Sequence, residues 1–218
     1  MLVAGGGESM IPLVIIGCGG FGREVWGIAE AINERAPRFE VFGMVDDALS
    51  DDNEAALVRL GARHLGGLDW FDDATADVQA VIAIGSPDVR RRIDERLPDR
   101  AWATLVHPDT TIGPDVKLAQ GCVVAPGARL STSIRVGRHV HIDQGVTVGH
   151  DSLLGDFSRL NPQSCISGNV MIEAGATVGA SATVIQGLRV GADALVGAGA
   201  VVTRDIEAWT TVKGVPAR

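Results

Sequence analysis

The stretch Thr147–Ala182 reads TVGHDS LLGDFS RLNPQS CISGNV MIEAGA TVGASA, and the second letter of every hexad is a branched aliphatic. The series extends in both directions. Sixteen such residues stand at every sixth position from Ile112 through Val148, Leu160 and Ile166 to Val202, without a miss. A period of six fits neither the helical repeat nor the alternation of a strand, so it predicts a stacked β-solenoid. Four residues after each aliphatic comes a second inward position, read over the later hexads as Ser152, Ser158, Ser164, Val170, Ala176, Ala182, Leu188, Ala194 and Ala200. Glycine often follows the aliphatic, as at Gly113, Gly137, Gly155, Gly179, Gly191 and Gly197. These glycines are read as tight corners that need φ > 0. Three hexads close one triangular coil, so the run supplies about five coils.

A chain of 218 residues holds one large domain or two small ones. Hydrophobic content of 46% is ample for a core, and the 4% aromatic content, with no tyrosine, suits a solenoid filled by small aliphatics. The formal charge of −8 argues against nucleic acid or an anionic membrane as the main partner. No apolar stretch reaches the length of a membrane span. The start, MLVAGGGES, lacks a basic region and a long apolar core, so it is not read as a signal peptide. Residues 1–10 are expected to be a disordered leader, with the fold beginning near Ile11. Cys18, Cys122 and Cys165 have no paired metal spacing and fit a reducing, cytoplasmic setting as small packed residues.

Ahead of the solenoid, residues 11–106 alternate strand and helix signals. Leu13–Ile16 is a short apolar strand, followed by the loop Gly17-Cys-Gly19-Gly20-Phe21-Gly22 and a helix with apolar Val25, Ile28, Ala29 and Ile32. Val41–Val45 is a second strand ending at Asp46-Asp47, and residues 48–60 are read as a loop and a short helix. Ala80–Ile84 is a third strand closed by Gly85. Ser86-Pro87 caps a helix to about Leu97, and Thr104–Val106 is read as a final strand. This alternation predicts a small, mostly parallel, Rossmann-like α/β domain, with the solenoid taking over at residues 107–218.

The loop Gly17-x-Gly19-x-x-Gly22 follows a strand and opens a helix, with Asp46 and Asp47 at the end of the next strand. Such glycines let backbone approach a phosphate at a helix N-terminus, and a downstream acid can take sugar or ribose hydroxyls. From the residues alone three readings stay open: a nicotinamide or flavin site, a nucleotide-sugar site, and a glycine turn without a ligand. About 90 residues is short for a full dinucleotide fold, which favours a mononucleotide or its sugar.

The Gly-x-Gly-Gly loop, the Asp46-Asp47 pair, the Ile82-Ala-Ile-Gly85 strand end and the hexads together resemble the sialic acid O-acetyltransferase-like family. That family includes bacterial sugar acyltransferases, among them UDP-4-amino-sugar N-acetyltransferases. The resemblance covers about residues 11–218, including the close Gly214-Val-Pro-Ala-Arg218. It implies a left-handed parallel β-helix of hexapeptide repeats, a homotrimer, acetyl-CoA as co-substrate, and a small-molecule sugar substrate. In such relatives the residue after the Gly-Gly of the loop is often histidine. Phe21 stands there in this chain, which leaves the nucleotide and sugar undefined.

Acyl transfer from a thioester needs a base near neutral pH, a role suited to histidine. Of five histidines, His150 lies two residues after an inward aliphatic in Val146-Thr-Val-Gly-His150-Asp151, on a corner or outer face. Its position resembles the catalytic histidine of the family, with Asp151 in the place of the acid that supports it. Gly168 lies eighteen residues on, so a solenoid stacks it about 5 Å from His150 along the axis. The resemblance gives the Gly168 backbone, and Ala180 further along, to acetyl-CoA, and a free N–H at Gly168 would hold an oxyanion. Arg159 stands where some relatives place a histidine against the coenzyme, and is assigned to a CoA phosphate or to solvent. Asp143 occupies a position that is usually asparagine in the relatives and would help place the acceptor. Gly19, Gly20, Phe21, Asp46, Asp47 and Gly85 form the substrate side.

His107 is read as a structural junction residue. His139 and His141 share a strand face at zinc-binding spacing, but with no third ligand they are read as surface histidines. Cys165 as an acyl-enzyme nucleophile is disfavoured for want of a histidine and acid beside it. No metal is expected. The sequence therefore points to N-acetylation of a nucleotide-linked amino sugar by direct transfer. The alternatives are O-acetylation of a sialic acid-like hydroxyl and a non-catalytic, nucleotide-sensing solenoid. A nicotinamide oxidoreductase is disfavoured, because the solenoid offers no second half of a dinucleotide fold.

Overall fold

A computed structural model of the chain describes residues 9–218; the expected leader over residues 1–10 falls mostly outside them, and Ser9 and Met10 are exposed. The N-terminal part runs β1 (Ile11–Ile16), α1 (Gly20–Arg35), β2 (Phe39–Val45), α2 (Asp51–Leu60), β3 (Gln79–Ile82) and α3 (Pro87–Arg96). The three strands are parallel in the order β2-β1-β3. The central strand β1 is apolar throughout because both of its faces are covered. Leu13 and Ile15 pack with Val25, Ile28 and Ala29 of α1, while Val14 and Ile16 pack with Phe71, Ile93 and Trp102 on the other face. The Ser86 hydroxyl accepts from the Val89 amide at 3.5 Å and Pro87 opens α3, as the sequence indicates.

The hexads form a parallel solenoid with three walls of two-residue strands. The first wall has seven strands from β4 (Leu105–Val106) to Thr211–Val212, the second six from Thr111–Ile112 to Val201–Val202, and the third five from Lys117–Leu118 to Arg189–Val190. Strands eighteen residues apart pair in register, as Thr147 with Cys165 and Val148 with Ile166. The inward aliphatics are buried from Leu130 to Val202, whereas Ile112, on the open first coil, is 40% exposed. The expected final strand of the N-terminal sheet is corrected here. Leu105–Val106 pairs with Val123–Val124 of the solenoid, and it is Trp102 that bridges to Ala80 of β3. The reason lies in the period: Val106 stands one hexad before Ile112.

The corner glycines are also corrected. Gly113, Gly137, Gly155, Gly179, Gly191 and Gly197 are absent from the left-handed region, which is taken two residues later at every corner. The left-handed series runs at period six from Asp115 to Gly199, and nine of its fifteen members are not glycine, among them Asp151, Phe157 and Asn169. From Gly127 onward each such turn aims an amide at the preceding coil, as Asp151 N donates to Thr132 O at 3.1 Å and Asn169 N to His150 O at 2.6 Å. These ladder bonds offset the penalty of about 1–2 kcal/mol for a left-handed residue. The hexad glycines answer to crowding instead. A Cβ at Gly155 or Gly179 would lie 2.5 or 2.6 Å from the backbone nitrogen of Ala174 or Ala198 on the next coil.

Candidate active site

His150 follows Thr147–Val148 on the corner between the second and third walls. The left-handed turn at Asp151 (φ 58) lets neighbouring side chains meet, and His150 Nδ1 lies 2.7 Å from Asp151 Oδ2. A proton on Nδ1 donated to this carboxylate leaves Nε2 with its lone pair free, the form a general base requires. Half of the His150 side chain is exposed, so Nε2 is open to a substrate. In register on the next coil, Gly168 lies under the ring, where a Cβ would come 2.5 Å from Nε2. The Gly168 amide has no hydrogen-bond partner among the described residues. Beside this corner the third wall carries a hollow bordered by Asp151, Asn169, Gly187 and Arg189, with the exposed side chains of Leu153 and Met171 on it.

A second concavity lies at the carboxyl ends of the N-terminal strands. It encloses about 330 Å³ among Gly17, Asp46, Asp47, Ala48, Leu68, Ile84, Val89 and Arg92. Gly17 has φ 111 and stands where a Cβ would meet Ile84 and Ala83, and a Cβ at Gly22 would strike the Gly17 carbonyl. These two glycines are required by the turn itself. Gly19 and Gly20, by contrast, face open space at the start of α1, which leaves their backbone approachable. Asp46 ties the site together: its carboxylate accepts from Cys18 N at 2.8 Å and Ala48 N at 2.9 Å, while Asp47 accepts from Leu68 N at 2.7 Å.

The remaining candidates fall at the seam where the N-terminal part covers the first wall. Arg159 neither meets solvent freely nor stands at the His150 corner. Its Nε and Nη2 donate to Asp143 Oδ2 at 3.2 and 2.8 Å, and its guanidinium lies 4.7 Å from the Phe21 ring centroid and directly over Gly85. Burial raises the Asp143 carboxyl above its ordinary range, against the pull of Arg159, and its Oδ1 is without a partner. Phe21 also packs on His141, with ring centroids 4.7 Å apart.

His139 and His141 are not surface residues; both are fully buried. His139 sits in a left-handed corner with Nε2 3.1 Å from Asp94 Oδ1, and His141 Nε2 donates to Ile82 O at 2.9 Å. Burial pushes the His139 imidazole down to about 4 and that of His141 well below its ordinary value, so both are neutral near pH 7. The seam around them was hidden from the period, which reports only what faces into the solenoid. The same holds for Arg90, whose place in an arginine-rich helix reads as a solvated face.

Outside the N-terminal concavity, the candidates form two groups within one chain. Asp143 lies on a corner between the first and second walls, paired with Arg159 beside Phe21 and Gly85, and Ala180 lies on the same corner two coils further along, whereas His150, Asp151 and Gly168 lie on the next corner round. Ala180 is not directly beneath Gly168, since twelve residues are two thirds of a coil; Gln186 takes that place. His107 is structural, its Nδ1 accepting from Asp109 N at 3.0 Å. His64 Nε2 lies 3.4 Å from Asp46 O. Cys165 is exposed, while burial pushes the Cys18 and Cys122 thiols up to about 12. Among the described residues no cluster of three or more His, Cys, Asp or Glu is arranged to hold a metal ion. Nor is any helix among them long and apolar enough to cross a membrane.

Residues 12–97 match the PglD N-terminal domain family. A comparison with curated protein sequences gives no match. Among solved structures, the acetyltransferase domain of PglB from Neisseria gonorrhoeae is 28% identical with a TM-score of 0.84, covering 95% of this chain and 98% of that one. WeeI from Acinetobacter baumannii is 28% identical at 0.83, covering 96% and 99%. PerB from Caulobacter crescentus, solved in complex with CoA and GDP-perosamine, is 30% identical at 0.83, covering 95% and 96%. With this likeness running through both the nucleotide-loop domain and the hexad walls, the chain belongs to the hexapeptide-repeat sugar N-acetyltransferases.

Proposed function

We propose that the protein transfers the acetyl group of acetyl-CoA to the amine of a nucleotide-linked amino sugar in the cytoplasm. The observation that carries this reading is the exposed His150–Asp151 pair stacked over Gly168, whose amide has no hydrogen-bond partner among the described residues, in a chain 30% identical to an enzyme solved with CoA and GDP-perosamine. His150 Nε2 takes a proton from the sugar amine as its nitrogen attacks the thioester carbon. Asp151 holds the ring in the required tautomer and stabilises the imidazolium. The Gly168 N–H donates to the oxygen that gains negative charge. The C–S bond then breaks, and the proton on His150 passes to the departing thiolate. No acyl-enzyme forms in this direct transfer.

The N-terminal concavity holds the nucleotide, with Gly19 and Gly20 at the phosphates and Asp47 at the base or ribose. Asp143 faces the sugar from the seam, where Phe21, Gly85 and Arg159 form the floor. Because His150 and this seam lie on different corners of one chain, the reaction centre is completed by a second copy, and a homotrimer closes three such centres. The test is a thiol-release assay with acetyl-CoA against UDP-, GDP- and TDP-linked amino sugars and free sialic acid. Turnover with one of the amino sugars is the expected result. Release with sialic acid alone would move the reading to O-acetylation, and release with none would remove it.

A further inference from the structure

Helix α3 faces two ways. Val89, Arg92 and Ile93 line the N-terminal cavity, while Arg90, Arg91 and Asp94 reach the solenoid. Arg90 has no exposed surface. Its Nη1 donates to Ile84 O at 2.9 Å and Gly85 O at 2.7 Å, and its Nη2 donates to Ser158 O at 3.3 Å and to Phe157 O. Among the described residues no carboxylate hydrogen-bonds this guanidinium. A buried charge held by four carbonyls is an expensive way to join two domains, since apolar packing meets that need at lower cost. What the guanidinium supplies is geometry. Two of its carbonyls lie in the segment just after β3, where Ile84 lines the cavity and Gly85 lies under Arg159. The other two belong to the coil that runs directly into Arg159.

We infer that Arg90 is a positioning residue that fixes the segment following β3, and with it the acceptor pocket, against the Asp143–Arg159 edge of the solenoid. This inference rests on the proposed transfer to a nucleotide amino sugar. Its planar fork spans both sets of carbonyls at once, which a lysine ammonium cannot do. A loosened pocket would still bind the nucleotide but would present the amine out of line. Misplacement of about 1 Å is enough to cost roughly 100-fold in rate.

The test compares Arg90→Lys and Arg90→Met with Arg91→Ala, which removes the neighbouring Arg91–Asp193 ion pair without touching β3. In both Arg90 variants kcat with the amino sugar should fall roughly ten- to 100-fold. Calorimetric affinities for GDP, UDP or TDP and for acetyl-CoA should stay within about threefold, far less than the loss in kcat. Arg91→Ala should keep its kcat. Unchanged kcat in Arg90→Lys, an equal loss in Arg91→Ala, or a loss accounted for by nucleotide affinity would each overturn the inference. A measurement on the unmodified protein stands beside these variants. The nucleoside diphosphate that binds should slow amide exchange at residues 84–86 and 157–159 together, and protection confined to the N-terminal residues would overturn the inference as well. Inactivity of the unmodified protein toward every nucleotide amino sugar would instead sink the functional reading, and the exchange result would still decide whether Arg90 couples the two parts.

Discussion

The imidazole of His150 rests on the Cα of Gly168, one coil away, closely enough that a Cβ there would lie 2.5 Å from Nε2. Gly168 does not adopt a left-handed φ, so the glycine answers to the ring and not to the turn. Gly168→Ala should therefore leave the backbone unstrained and force the half-exposed imidazole to swing away. Stability should change little, because the nearest atoms that a Cβ would meet all belong to the half-exposed imidazole. Turnover should fall at least tenfold, because the base and the adjacent amide are then both misplaced. A variant with normal melting and normal kcat would show that the stacking of ring on glycine has no part in the reaction.

His150→Ala removes the base itself. The expected loss in turnover is roughly 10²–10⁴-fold, the usual range for a positioned general base. Acetyl-CoA affinity, measured directly by calorimetry, should persist. Asp151→Asn should lower kcat less, since an amide still occupies the place beside Nδ1 without stabilising the imidazolium. Near-normal turnover in His150→Ala would take His150 out of the mechanism.

Much of this architecture was legible because a solenoid converts sequence spacing directly into spatial stacking. Val148 over Ile166 and His150 over Gly168 follow from an interval of eighteen residues alone. The left-handed corners are less legible, because one position in six takes that conformation and glycine is a poor marker for it. Asp151, Phe157 and Asn169 take the left-handed turn with side chains, supported by ladder bonds that no local pattern reveals. The seam was not legible. His139, His141 and Arg159 point out of the solenoid, and their burial depends on the N-terminal part, whose docking leaves no period in the sequence.

Placement of His150 and the Asp143 seam on different corners predicts an assembled enzyme. The exposed Leu153 and Met171 beside Asp151 give the third wall an apolar contact surface. Sedimentation at micromolar concentration should give a single species of three times 22.7 kDa. A species of 22.7 kDa that retains full specific activity would overturn the shared centre.

Asp46→Ala is expected to act on both stability and substrate. The Cys18 amide, whose residue is fully buried, would lose its carboxylate partner, at a cost of about 1–3 kcal/mol. The acceptor KM should rise, because Asp46 lines the concavity and holds the Cys18 and Ala48 amides that shape it, while the KM for acetyl-CoA stays nearly constant. A change in the coenzyme KM alone would place Asp46 on the wrong substrate.

The buried histidines of the seam predict how stability depends on pH. His139 lies against Trp102 and Phe157 with Asp94 on its Nε2, and Arg90 and Arg138 add positive charge nearby. His141 lies against Phe21 and donates to Ile82 O, with Arg90 and Arg159 adding positive charge around it. Burial holds the first at about 4 and the second well below its ordinary value. In the unfolded chain both titrate near 6.5. Between these limits the unfolded state binds more protons than the folded one, so stability rises with pH and is lost as pH falls below about 6.5. Lowering the pH from 7.5 to 5.0 should cost about 2 kcal/mol for each histidine that stays neutral in the fold. The raised Asp143 carboxyl acts in the opposite sense, so comparison with variants is the deciding measurement. Chemical denaturation at the two pH values should show a smaller loss in His139→Gln and in His141→Gln than in the unmodified protein. Parallel losses in all three would mean that protons at the seam do not govern the acid sensitivity of the fold.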